Sequence, residues 1–288
     1  MITHVAEAGE QSGRVVLWMG GANDPQETAV EAAFRLAQAF QAELESLFVA
    51  DHQLFDLAEL PFAREIPLSG RGARQLTADG LARQIKAHAT SLQRRILAQA
   101  QAAEVRAQAH IVRAEPVRAL AEACARNGPW NVVTMGMPIR RGNGTSLTEL
   151  FANVHATTGV VVAGPKAQRT SGPVIAIVDD LERTMPMTRA ARRIATATGG
   201  EARLCLLDRA QGHDDWLEGQ VRLALGANPA VKLDVVDMGL ESPRSVAQRM
   251  RRQGAGFVIA RFGGHFVRDE EDVAPLAEIL EGPLFLVR

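Results

Sequence analysis

The sequence has little cysteine, no long apolar run and almost no net charge, and each shortage excludes a class of protein. Cys124 and Cys205 are its two cysteines, and neither has a CxxC or CxxH neighbour. We therefore expect buried, reduced thiols in a cytoplasmic protein, not disulfides. The longest apolar runs, such as GVVVAG, are far too short to cross a bilayer. A formal net charge of −1 argues against a protein that coats nucleic acid.

What the sequence does contain is a regular alternation of apolar runs and helical patterns. Hydrophobic residues make up 47% of the chain, enough for a packed core. The runs are nearly continuous, which is typical of strands buried on both faces. Five fall in each half: RVVLWM, LESLFV, VRAQAHIV, NVVTMG and GVVVAG, then VIAIVD, ARLCLLD, VKLDVVDM, GFVIAR and PLFLVR.

Helical patterns with recognisable starts separate these runs. Pro25, Pro116 and Pro243 each follow a polar residue that can accept hydrogen bonds from the first turn of a helix. Between 78 and 103, apolar residues recur on one helical face: Leu81, Ile85, Leu92, Ile96 and Ala100. Strand alternating with helix predicts parallel sheets with right-handed crossovers.

The chain divides into two similar halves. We predict a first domain over 14–165 and a second over 174–288, joined by a polar linker at 166–173. Residues 1–13 are polar, have no apolar signal region and are expected to form a flexible lead. The first half alone carries an insertion, 50–77, which is either a flap over a groove or a loop packed on the surface. The second alternative is favoured, because most long insertions are not functional lids.

Two stretches, EPVRALAEACARNGPWNVVTMGMP and ESPRSVAQRMRRQGAGFVIARFGG, resemble the third helix and fourth strand of universal stress proteins. The start of each half is similar to that family as well. The resemblance implies an α/β fold of two tandem, doubly wound five-stranded parallel-sheet domains of the adenine nucleotide alpha hydrolase-like type. It also implies that 160–163 meets 284–287 in an internal pseudo-dimer along the fifth strands. Further pairing of two chains into a homodimer stays open.

The resemblance further implies where a nucleotide would bind. In an open parallel sheet, ligands lie beyond the strand C-termini where the strand order reverses, here between strands one and four. Nucleotide-binding members of the family have an acidic residue at the end of strand one. After strand four they have G-x2-G-x9-G-[S/T], whose glycines wrap phosphate oxygens and whose hydroxyl begins a helix.

The first half keeps only part of this pattern. Gly136 matches the first glycine, but Ile139 stands at the second, and Leu147 lies near the expected third. The loop has its own glycines, two arginines and two hydroxyls at displaced positions, and either hydroxyl is a candidate cap for the next helix. Glycines close strand one instead of an acid. The candidate nucleotide residues here are Gly20, Gly21, Gly136, Arg140, Arg141, Gly142, Gly144, Thr145 and Ser146.

The second half departs from the pattern in the opposite way. Asp179 closes strand one and Gly264 matches the second glycine, but Arg261 takes the place of the first. Glu271 and Asp272 stand where Gly-Ser is expected, and two carboxylates would repel a phosphate. We therefore expect no nucleotide in the family manner in this half, and Asp179 is its only candidate contact.

Two functions follow from these degraded motifs. The first is a non-catalytic stress-response protein that acts as a scaffold or small-molecule sensor, with a protein or small-molecule partner. The alternative is a sensor that binds ATP or AMP through loop 136–146. No nucleophile or general base stands in a suitable setting, so we assign no catalytic residue, although weak ATP hydrolysis stays open. The group His213, Asp214 and Asp215 is interpreted as a helix cap, and no metal site is predicted.

Overall fold

The structure is a computed structural model in which the strands and helices alternate along the chain. It describes residues 13–20, 25–66, 70, 72–126, 128, 130–137, 146–179, 181–208, 219–223, 231–237 and 242–288. Most of the predicted lead, 1–12, lies outside the described residues. No helix in the described ranges is long and apolar enough to cross a membrane.

Twelve strands are described, ten of them in one sheet. They are β1 (Arg14–Gly20), β2 (Glu43–Asp51), β3 (Arg64–Glu65), β4 (Arg74–Gln75), β5 (Ala107–Ala114), β6 (Asn131–Gly136), β7 (Thr157–Ala163), β8 (Val174–Val178), β9 (Ala202–Asp208), β10 (Val231–Asp237), β11 (Phe257–Arg261) and β12 (Leu284–Val287).

Eight helices with named bounds connect them, and residues 219–223 are helical as well. They are α1 (Glu27–Phe40), α2 (His52–Ala58), α3 (Ala78–Ala102), α4 (Pro116–Arg126), α5 (Leu147–Asn153), α6 (Leu181–Thr198), α7 (Pro243–Arg252) and α8 (Glu270–Ile279).

The large sheet has the order β10-β9-β8-β11-β12-β7-β6-β1-β2-β5. Each half therefore has the doubly wound order 3-2-1-4-5, as predicted. All neighbours are parallel except β7 and β12, which pair antiparallel with Leu284 opposite Val162 and Val287 opposite Gly159. The predicted meeting of 160–163 with 284–287 is thus present in one continuous sheet. The boundaries of the two domains stay a prediction.

Helices cover both faces of the sheet because successive strand residues point to opposite sides. Val15 and Leu17 belong to a core that includes residues of α1, α3 and α6, whereas Val16 belongs to one that includes residues of α4, α5, α7 and α8. On β12, Phe285 joins the first group and Leu286 the second. Two large hydrophobic cores result, and each extends across both halves of the chain.

Two of the three predicted helix starts are confirmed, and one is wrong. Glu115 accepts hydrogen bonds from the first-turn backbone of α4, whose first residue is Pro116. Ser242 caps α7 ahead of Pro243. The start of α1 differs, because its N-cap is Gln26 without a side-chain cap, so Pro25 precedes the helix instead of lying in its first turn.

The insertion at 50–77 contains α2 and the short antiparallel hairpin β3-β4. Phe55 is buried, and the guanidinium of Arg113 on β5 lies 3.8 Å from its ring centroid. Phe62 and Ile66 are mostly exposed. Phe55 thus packs against β5 at the sheet edge, while Phe62 and Ile66 face solvent.

Candidate functional site

The carboxyl ends of β1 and β6 lie side by side, where the sequence places a nucleotide. A Cβ on Gly20 would come within 2.7 Å of the carbonyl oxygen of Val49 on β2, so strand packing alone requires this glycine. At Gly136 a Cβ would meet nothing closer than Gln26, at 3.7 Å, which is an ordinary contact. Neither glycine therefore indicates by its packing that a phosphate approaches.

Gln26 extends across the ends of β6 and β7. With its amide nitrogen facing β7, its side chain donates hydrogen bonds to the carbonyls of Ala163 at 3.2 Å and Gly164 at 2.9 Å. Six of the candidate residues of this half lie outside the described residues: Gly21, Arg140, Arg141, Gly142, Gly144 and Thr145. Their part in binding stays a prediction.

Ser146 caps the helix that follows the loop, as the sequence suggested. Its hydroxyl accepts a hydrogen bond from the backbone N–H of Glu149 at 3.3 Å and donates to the carboxylate of Glu270. The same carboxylate accepts from the backbone N–H of Thr148 at 2.8 Å. Because a helix N-terminus carries partial positive charge, it attracts an anion. Here that anion is a side chain of the second half.

The sequence analysis did not predict this contact. Glu270 lies 124 residues from Ser146, at the first position of α8. An acidic residue at the start of a helix is ordinarily explained by that helix's own positive end. The available signal was the local excess of acids in the first turn of α8, where Glu270, Glu271 and Asp272 follow one another.

In the second half, Asp179 and the loop after β11 come together, but they bind each other. Asp179 Oδ2 accepts hydrogen bonds from the backbone N–H groups of His265 at 2.7 Å and Phe266 at 2.9 Å. A Cβ on Gly264 would lie 2.7 Å from the same oxygen, so glycine permits this approach. The loop thus wraps a carboxylate of its own chain. The other oxygen, Oδ1, is enclosed and accepts no hydrogen bond from a described residue.

The acidic residues at the start of α8 form a capping network. Asp269 accepts a hydrogen bond from the N–H of Glu271 at 2.9 Å. Asp272 is 7% exposed and accepts hydrogen bonds from the Arg268 side chain and backbone, both at 3.0 Å. Burial would raise the pKa of Asp272, but the bonds from Arg268 outweigh it and leave that pKa below its ordinary value. The predicted Gly-Ser position is therefore filled by residues that stabilise the helix itself.

The two halves contact each other directly beside these loops. Phe262, which follows β11, stacks on Phe151 of α5 with ring centroids 4.5 Å apart. Arg288 donates to the backbone carbonyl oxygens of Phe151 and His155. Displacing α5 from Glu270 would therefore also disturb a stacked pair and the C-terminal residue.

The described residues contain no group of three or more His, Cys, Asp or Glu that could hold a metal ion. His213, Asp214 and Asp215 lie outside them.

No family model matches the chain, and no curated protein does so. Several solved structures are similar to it over nearly its whole length. A universal stress protein from Archaeoglobus fulgidus DSM 4304 is 15% identical with a TM-score of 0.56, covering 96% of this chain and 97% of its own. A putative universal stress protein from Pseudomonas aeruginosa UCBPP-PA14 is 11% identical with a TM-score of 0.51, covering 95% and 92%.

The same arrangement occurs in a different biological setting. The cytoplasmic domain of a prokaryotic cation chloride cotransporter is 10% identical with a TM-score of 0.51, covering 96% of this chain and 95% of its own. Fold similarity at this level does not by itself fix function. Together with the strand order 3-2-1-4-5 in each half, these similarities show that the chain has the fold of the universal stress proteins.

Proposed function

We propose that this protein is a non-catalytic stress-response protein that acts as a scaffold in the cytoplasm, without nucleotide. One observation carries the proposal. In each half, a carboxylate of the chain itself accepts hydrogen bonds from described backbone donors near the expected phosphate position: Glu270 from Thr148 in the first half, and Asp179 from His265 and Phe266 in the second. The stress-response role is taken from the names of the similar structures.

Electrostatics makes these carboxylates effective competitors. A phosphate at the start of α5 would meet the negative charge of Glu270 on the donors it needs, and like charges at short range repel. A phosphate would also have to replace the hydrogen bonds that Glu270 already accepts from Ser146 and Thr148, so only the difference between the two anions would favour its binding. In the second half, a phosphate would have to displace Asp179 from two N–H groups that lie 2.7 and 2.9 Å from its oxygen.

The test begins with protein purified without added nucleotide. After denaturation, the supernatant is analysed for bound small molecules, and fresh protein is melted with and without millimolar Mg-ATP or AMP. A ligand at ~100 times its dissociation constant would stabilise the fold by about 2.7 kcal/mol, a shift of several degrees. We expect no copurified nucleotide and no shift.

A clear shift would overturn the scaffold proposal and favour the ATP- or AMP-binding sensor. Gly136→Leu then tests the first half, because its Cβ would meet nothing closer than 3.7 Å while its side chain adds bulk at the end of β6. Loss of the shift in Gly136→Leu, with unchanged melting of the unliganded protein, would assign nucleotide binding to the first half.

A further inference from the structure

A groove of about 830 Å³ lies between α1 and α6, on the outer face of the helical layer. Its lining comes from both halves of the chain: residues 38–41 at the end of α1, and side chains of α6 between Met185 and Ala197. Neither Asp179 nor Glu270 lines it, so it is separate from the candidate site described above.

Three exposed arginines give this groove its charge. Arg189, Arg192 and Arg193 line it, and no lining residue is acidic. Among the described residues, none of the three forms an ion pair. Arg189 and Arg193 are four residues apart on α6, so they lie on the same helix face about 6 Å apart along the axis. Like charges at this spacing destabilise a helix, and a bound anion would relieve their repulsion.

Several other arginines of this protein have an acidic partner. Three of them form an ion pair with an acid four residues away in the sequence: Arg35 with Glu31, Arg118 with Glu122, and Arg268 with Asp272. After Glu182, α6 contains no acidic residue. Arg83 and Arg94 on α3 also have no ion pair among the described residues, and they line another basic surface. The α6 groove differs from that surface in the large apolar side chains that lie beside its arginines.

The groove offers apolar surface beside the charges. Phe40 and Ala39 contribute from α1, and Met185, which is 43% exposed, contributes from α6. The hydroxyls of Thr188 and Thr196 donate to carbonyls of their own helix. The strong donors left for a partner are thus the guanidinium groups, which favour carboxylates in bidentate geometry.

We propose that this groove binds an acidic segment of a partner protein, with carboxylates on the arginines of α6 and an apolar side chain on Phe40 and Met185. Methionine adapts readily to apolar partners of different shape. A peptide supplies both kinds of side chain, whereas a nucleic-acid backbone supplies only charge and a flat bilayer does not enter a concave groove. The inference extends the scaffold role by naming the chemistry of the partner.

Fluorescence anisotropy tests the proposal with the full-length protein and a fluorescein-labelled peptide of alternating Glu and Leu. We expect saturable binding that weakens as salt rises, because exposed charges are screened. Arg189→Glu with Arg193→Glu should weaken binding by about tenfold or more, since hydrogen bonds to charged groups are lost. A peptide with Ser in place of Leu should bind more weakly to the wild-type protein.

The matched control is Arg83→Glu with Arg94→Glu on α3, where two exposed arginines undergo the same change of charge. This variant should bind the Glu-Leu peptide as the wild type does. Equal loss in the two double variants would show nonspecific attraction and overturn the proposal. No binding at low salt would overturn it, and so would binding of an oligonucleotide or of phosphatidylserine vesicles in place of the peptide. Circular dichroism verifies that each variant is folded.

The peptide assay contains no nucleotide. Absence of peptide binding is therefore a different result from nucleotide binding, which would overturn the scaffold proposal. A positive Mg-ATP melt with intact peptide binding would overturn only the nucleotide-independent function.

Arg193→Gln offers a second measurement without any ligand. Removing one of the two like charges should raise the melting temperature slightly, and a clear fall would show that the arginine is held by a contact of the folded protein.

Discussion

The carboxylate of Glu270 accepts a hydrogen bond from the backbone N–H of Thr148 across 2.8 Å. A side chain from the second half thus closes the N-terminus of a helix in the first half. Glu270→Ala should lower the free energy of unfolding by about 0.5–1.5 kcal/mol, the usual net contribution of a hydrogen bond, measured by urea denaturation. Glu270→Gln keeps an acceptor and should lose less.

Glu278→Ala is the control for that experiment, because it removes an exposed acid from the same helix. It should leave stability nearly unchanged. If the two alanine variants are equally stable, the contact between Glu270 and α5 does not contribute to folding in solution.

Asp179 should be a stability determinant of the second half. Asp179→Ala leaves the N–H groups of His265 and Phe266 without their acceptor, and we expect a loss of about 1–3 kcal/mol. Asp179→Asn retains one oxygen acceptor and should cost less. If Asp179→Ala and the wild type are equally stable in urea, this carboxylate does not hold the loop in place.

Gly164 lies where the end of β7 passes α8. A Cβ there would be 1.7 Å from the carbonyl oxygen of Ala277, so Gly164→Ala must displace backbone. We expect a loss of about 1–3 kcal/mol or more, read from thermal or urea unfolding. Gly219→Ala is the matched control, since a Cβ at that position meets nothing within 4 Å. Equal stability of the two variants would contradict the close approach.

Because of Asp272, the free energy of unfolding should decrease at acid pH. Its pKa is below the ordinary value in the folded state, because the bonds from Arg268 outweigh burial. A carboxyl with a depressed folded pKa stabilises the protein above its unfolded pKa, near 4, and that contribution disappears as pH falls through the lower folded pKa. Unfolding at a series of pH values should show this loss below about pH 4.

Arg268→Gln provides the comparison for the pH series. Without the guanidinium, the folded pKa of Asp272 should move upward, so the variant should be less stable than wild type at neutral pH. Its stability should also depend less on pH in the acid range. Parallel curves for the two proteins would show that Arg268 does not set the pKa of Asp272.

The thiols should be unreactive while the protein is folded. Burial, reinforced by the negative charge of Glu45, raises the pKa of Cys124 to about 12, and Cys205 is buried as well. Because the thiolate is the reactive form, a disulfide reagent at pH 8 should modify neither cysteine in native protein and both in urea. Rapid modification of native protein would contradict the burial of these side chains.

The local elements were predictable from the sequence because their signals are local. Apolar runs and helical periodicity located β1 and α3, although Leu81 and Ile85 of the predicted stripe are only half-buried while Leu92, Ile96 and Ala100 are buried. The cap at Ser146 was predictable for the same reason. Pro25 was wrongly predicted to lie in the first turn of α1, because a proline near a helix start can lie on either side of the N-cap.

The sequence by itself determined the alternation of strands and helices, the two similar halves and the departures from the nucleotide pattern. Only the tertiary structure decided which acids meet which backbone donors. Glu270 reaches α5 across 124 residues, and Asp179 reaches the loop after β11 across more than 80. The physical reason is the separation of the contacting residues along the chain. Periodicity and capping depend on residues that are neighbours in the sequence. These contacts and the groove between α1 and α6 arise only when distant segments pack together.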